Sequence, residues 1–157
     1  MNITINEWIF YYISDQEKSE LVHSFLQKLL EKCDKIVLKR SSPLMEKIWK
    51  LSKVSQYWEP KRRLLAKFFI NSFIKNSYKC VILESHEIPE IPQQLLSIIP
   101  SDDLYLIETA YATEDKFILT TDQKLQTILS PYHEFKIELV ETFLLKYLQH
   151  NSKKNIL

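Results

Sequence analysis

The stretch DDLYLIETAYATEDKFILTTD, residues 102–122, decides how the chain folds. Asp102 and Asp103 open a helix that reaches about Thr113. Acids in a first turn complement the positive end of the helix dipole. Residues 116–120, KFILT, then make a short apolar run, the composition of a buried strand. Asp122 stands just after it, where it can cap the next helix. Helix, strand and carboxylate in that order form one unit of an alternating α/β fold.

The alternation continues in both directions. Upstream, NITI (2–5) is a first strand, followed by a helix over about 7–13 and a longer one over about 16–31. In the longer helix Leu21, Val22, Phe25, Leu26, Leu29 and Leu30 recur at one-face spacing. KIVLK (35–39) reads as the second strand, and Ser41, Ser42 and Pro43 start a helix that runs to about Ser55. Pro60 opens another, whose apolar face is Leu64, Leu65, Phe68, Phe69, Phe73 and Ile74. KCVIL (79–83) is a third strand. Pro89, Pro92 and Pro100 mark an irregular connection with a short helix at about 93–98. Downstream lie a helix at 123–129, a last strand at 135–139 and a last helix at 141–149. The pattern predicts a three-layer α/β/α fold with a mainly parallel central sheet. It predicts one domain over 1–150 and a frayed tail at 151–157. Ligands bind such sheets beyond the carboxyl ends of the strands. Asn6, Ser41, Ser42, Glu84, Thr121 and Asp122 occupy those places.

The 157 residues contain no glycine. A Walker-type phosphate loop and a GxGxxG turn both need glycine for close backbone approach, so both are excluded. A phosphate-bearing ligand must be held by side chains, helix N-termini or metal ions. The net charge of +1 conceals an asymmetry. Between Lys35 and Lys79 twelve Lys/Arg face only Glu46 and Glu59; between Glu84 and Asp122 nine Asp/Glu face only Lys116. A basic patch beside an acidic cluster suits a nucleic-acid enzyme that uses cations, and it equally suits two solvated faces. Cys33 and Cys80 are far apart and outside any CxxC pattern, and read as buried, reduced packing residues. No apolar run nears the roughly 18 residues of a membrane span, and the N-terminus lacks signal-peptide features. The chain is therefore expected to be cytoplasmic, without a membrane partner.

Residues 102–110, and then 117–122 with Thr120 and Asp122 in a Thr-x-Asp arrangement, resemble the core pattern of the PIN-domain family of metal-dependent ribonucleases. Asp103 precedes Asp122 by nineteen positions, a spacing similar to that of PIN-like proteins. Residues 137–144, IELVETFL, resemble the strand and helix that close the fold. The resemblance implies an endoribonuclease acting on single-stranded RNA with Mg²⁺ or Mn²⁺. It implies catalytic roles for Asp103, Asp122, Glu46 and Glu108. It further implies that many such proteins are toxins paired with an antitoxin protein and form homodimers. Hard divalent ions take oxygen ligands, so carboxylates without Cys or His suit them.

The chain departs from the family at the end of the first strand. Asn6 stands where PIN domains usually carry Asp, and Glu7 follows it. Asn6 offers a neutral amide oxygen, and Glu7 is a candidate replacement, so the expected metal ligands are Asp103, Asp122, Asn6 and Glu7. Each has a plainer reading: Asn6 as a helix cap, Glu7 as a first-turn acid, Glu46 as an i+4 partner of Lys50. Lys61, Arg62 and Arg63 are expected to hold RNA phosphates, with Trp58 stacking on a base or packing on its own helix. Two functions follow: a metal-dependent endoribonuclease, or a degenerate PIN-like module that binds RNA or protein without cutting. If fewer than three acidic side chains converge at the site, the second reading wins.

Overall fold

The computed structural model describes residues 1–149; the expected tail at 151–157, and residue 150 of the expected domain, lie outside the described residues. The fold is the expected α/β/α sandwich. Five strands run parallel in the order β3-β2-β1-β4-β5: β1 (Asn2–Ile5), β2 (Lys35–Lys39), β3 (Cys80–Leu83), β4 (Phe117–Thr120) and β5 (Lys136–Leu139). The chain steps from β1 to β2 and β3 in one direction, then returns to build β4 and β5 on the other side of β1. The topological switch point therefore lies between β1 and β4, where such sheets open a crevice at their carboxyl end.

Strand side chains alternate between two cores. Ile3, Ile5, Phe117 and Leu119 pack on one face against α1 (Trp8–Ser14), α2 (Ser19–Glu31), α3 (Pro43–Val54), α4 (Pro60–Phe69) and α8 (Val140–Gln149). Ile118 packs on the other, with α5 (Gln93–Leu96), α6 (Leu104–Tyr111) and α7 (Gln123–Leu129). All of β4 is buried, as a central parallel strand covered on both faces must be.

Local chemistry sets the helix starts. The Ser42 hydroxyl accepts from the Met45 N–H at 3.2 Å and donates to the Lys39 carbonyl at 2.7 Å, and Pro43 takes the first turn of α3. α4 continues into a π-turn at Ile70–Ile74 that buries Ile70, Phe73 and Ile74. Two expected core residues face out instead: Leu64 is 63% exposed and Leu30 is 41% exposed. Each sits next to a buried leucine, Leu65 or Leu29, and neighbours on a helix lie about 100° apart. Cys33 is exposed, against expectation, because it lies in the short connection between α2 and β2. Cys80 is buried in β3, and burial pushes its thiol up to about 12. With no glycine available, Lys116 takes the left-handed turn into β4 at φ 44°. That costs a non-glycine residue roughly 1–2 kcal/mol. Among the described residues no helix is long and apolar enough to cross a membrane.

Candidate active site at the β1–β4 crevice

The switch point is stitched together by the residues that end its two strands. The Asn6 side-chain amide, just past β1, donates to the Thr120 hydroxyl at 2.8 Å, and Thr120 ends β4. The same hydroxyl accepts from the Asp122 N–H at 3.1 Å. The Asn6 amide oxygen accepts from the Trp8 N–H at 3.2 Å, and the buried Trp8 indole N–H donates to the Leu119 carbonyl at 2.8 Å. This arrangement fixes Asn6 beside the segment that carries Asp122.

Asp122 caps α7, as its plainer reading required. Its Oδ1 accepts from the Lys124 and Leu125 N–H groups at 2.9 and 3.2 Å. Its Oδ2 makes no hydrogen bond among the described residues, so one oxygen orients the carboxylate and the other is left for a ligand. Asp103 comes from the opposite layer, at the end of the 3-10 turn Ser101–Asp103 that leads into α6. It is half-buried, and it makes no side-chain hydrogen bond to α6, so helix capping does not account for it. Burial raises its carboxyl above the ordinary carboxylate value, and the charges of Asp122, Asp102 and Glu7 raise it further. The crevice thus holds a carboxyl that lacks a cation. Tyr105, two residues on, has its phenol raised by burial and then by the charges of Glu7 and Asp103, with its oxygen against the Glu7 backbone N–H.

Of the other expected acids, Glu7 and Glu108 are paired with lysines and Glu46 is not. Glu7 pairs with Lys47 at 2.5 Å, and Lys47 also donates to the Tyr11 hydroxyl at 3.0 Å. Those two contacts, Glu7 first, raise the Lys47 ammonium above its ordinary value. Glu108 pairs with Lys39 at 3.3 Å. Glu46 is exposed on α3 and makes no ion pair with Lys50 or any other described residue. Neither Glu46 nor Glu108 is among the charges acting on Asp103. Among the described residues no three His, Cys, Asp or Glu side chains stand close enough to hold one metal ion between them.

Of the expected RNA-binding residues, Arg62 and Trp58 are turned inward, while Lys61 and Arg63 remain at the surface. Arg62 pairs with Glu59 at 2.5 Å, donates through Nη1 to the Ser14 carbonyl at the end of α1, and lies 5.2 Å from the Trp58 ring centroid. Trp58 packs against the main core, the plainer of its two readings. Lys61 pairs with Glu20 across exposed surface. Arg63 has no ion pair among the described residues.

Sequence reasoning missed Lys47, Tyr105 and Lys39. No local signal marks Lys47 or Lys39, since each meets its carboxylate across a long stretch of chain. Tyr105 had one: it lies two residues past Asp103 at a strand-adjacent helix start.

The donor set suits a hard cation in its chemistry, with two aspartates free of cationic partners and an amide oxygen beside them. Among the described residues no three acids are placed to hold one ion, so Asp103 and Asp122 are the carboxylates that a bound ion could draw on. Compared with known proteins, the chain matches no family model and no curated protein.

Proposed function

We infer that the chain is a PIN-like RNA-binding protein whose crevice works as a Mg²⁺- or Mn²⁺-dependent endoribonuclease site reduced to two carboxylates, Asp103 and Asp122. One observation carries this reading: the hydrogen bond from Asn6 to Thr120 at the switch point sets a potential oxygen ligand beside Asp122. The uncompensated charge on Asp103 supports it. A divalent cation bound there would make an attacking water more acidic and neutralise charge on the cleaved phosphodiester. The protein's own contribution is positional. Thr120 and the first N–H groups of α7 lock Asp122, while Lys47 draws Glu7 away. Within the same proposal the protein acts on single-stranded RNA in the cytoplasm, as a toxin held by an antitoxin protein and as a homodimer. A small reading frame beside the gene would support the toxin role.

A second reading has the convergence test on its side, since among the described residues no three acidic side chains meet to hold an ion, and it has a further observation. Lys47 and Lys39 already neutralise Glu7 and Glu108, acids that a metal site would draw on. A PIN-like module that binds RNA or protein without cutting would keep such internal cations. Calorimetry with Mn²⁺, paired with cleavage of a labelled single-stranded RNA, separates the two. Binding with cleavage supports the nuclease; RNA binding without either supports the module.

A further inference from the structure

We propose that single-stranded RNA leaves the carboxylate crevice through the cleft between α7 and α8, with Lys18 and Lys124 contacting its phosphates. This rests on the RNA-binding reading above and names the path the strand takes. A cleft of about 710 Å³ opens beyond the ends of β4 and β5, and Asp122 forms part of its wall. That volume lies in the range of a nucleotide-sized site, roughly 300–1,000 Å³. Lys18, Lys124, Tyr12 and Glu141 also line it.

The two lysines are what call for an explanation. Lys18 and Lys124 have no carboxylate within ion-pair distance among the described residues, as is also true of Lys50, Lys53, Arg63 and Lys67, but only these two of the six line the cleft. Both also sit where a helix disfavours a cation: Lys18 at the N-cap of α2, and Lys124 in the first turn of α7. A positive charge there opposes the helix dipole, by typically 0.3–1 kcal/mol when exposed. Local stability therefore explains neither of them. Glu141, in the first turn of α8, needs no such account, because an acid is favourable there. Lys18 is steered toward the cleft by Tyr12, whose ring centroid lies 4.6 Å from its Nζ. Two unpaired ammonium groups at the rim of a cleft that begins at Asp122 match the phosphates of a strand whose scissile bond sits at the carboxylates. Glu141 can only accept hydrogen bonds, so its wall suits the amino edge of a base rather than a phosphate.

The test is binding of a fluorescent single-stranded RNA twelve-mer to the full chain by anisotropy, in EDTA to stop cleavage, over a series of salt concentrations. The Lys18→Ala/Lys124→Ala double variant is compared with the parent and with Lys50→Ala/Lys53→Ala, which removes equal charge from the exposed face of α3. The expected result is a log–log salt slope lower by about 1.4 in the cleft variant, two contacts at about 0.7 each, with the α3 variant close to the parent. If the parent binds and the cleft variant shifts no more than the α3 variant, the path is wrong while the RNA-binding reading stands. If the parent does not bind RNA at all, both are overturned.

Discussion

On the α3–α4 side of the molecule two of the cations are answered from within. Arg62 has Glu59, the Ser14 carbonyl and the Trp58 ring, and Lys61 has Glu20. At the β1–β4 crevice the opposite holds. Asp103 feels the charges of Asp122, Asp102 and Glu7, and Lys47 is paired with Glu7. Both regions are dense in charge, and the crevice has acidic charge to spare. Formal charge along the sequence thus does not tell which charges the fold matches. Unmatched cations lie at Lys18 and Lys124 beside the crevice, and also at Lys50, Lys53, Arg63 and Lys67 within the basic stretch.

The largest effect should come from removing the surplus. Asp122→Asn should lower Mn²⁺-stimulated RNA cleavage by at least about 100-fold, the scale of losing a group that serves the transition state. Asparagine keeps an oxygen for the Lys124 and Leu125 N–H groups, so the α7 cap and the melting midpoint should hold. Full cleavage by the folded variant would take Asp122 out of the site.

Adding to the surplus should sharpen the contrast. Asn6→Asp replaces the amide that donates to Thr120, and the Thr120 hydroxyl can turn to donate to the new carboxylate. A third charged oxygen should lower the Mn²⁺ needed for half-maximal cleavage by roughly tenfold, since ligand charge tunes affinity for hard ions. An inactive parent made active by this change means a PIN-like fold that has lost its chemistry. If calorimetry finds no Mn²⁺ binding to parent or variant, the crevice is not a metal site.

The compensated side should respond in stability instead. Arg62→Ala removes a bond to the Ser14 carbonyl and the stacking on Trp58, and should cost about 1 kcal/mol after allowance for its partial exposure. Arg63→Ala should stay within about 0.5 kcal/mol, as surface changes usually do. If Arg63 reaches RNA, its loss should lower the salt slope by about 0.7. Equal thermal denaturation of the two variants would remove the distinction drawn between them.

Strand periods and helix starts made the sheet legible in the sequence, because each is a local signal. Ser42 and Pro43 mark α3, and β4 reads as a continuous apolar run. The Asp103–Asp122 pairing was legible through spacing within one α/β unit. The pairs Lys47–Glu7 and Lys39–Glu108 were not, because they join residues whose proximity depends on strand order, and no local pattern encodes strand order. Glu46 shows the same limit from the other side: a carboxylate on the right helix was expected at the site, but its turn of α3 faces solvent. The outward turn of Leu64 and Leu30 followed from packing, which selects one of two adjacent leucines.

The smallest effect bears directly on whether the crevice is uncompensated. Burial, and then Asp122, Asp102 and Glu7, raise the Asp103 carboxyl above the value of 3.8 it has without them. A carboxyl raised in the folded state favours folding while it is protonated. That contribution is complete below its unfolded pKa and is lost as pH rises through the folded value. At neutral pH the ionised Asp103 is therefore a cost to the fold. Asp103→Asn, which stays neutral, should melt higher than the parent at pH 7, by about 1–2 °C in a chain of this size. The difference should vanish near pH 3, where the parent's carboxyl is protonated as well. Mn²⁺ should raise the parent's midpoint more than the variant's, because only the parent keeps both carboxylates for the ion. If Asp103→Asn melts lower at pH 7, the Asp103 charge has a partner after all, and the crevice no longer differs from the α3–α4 side.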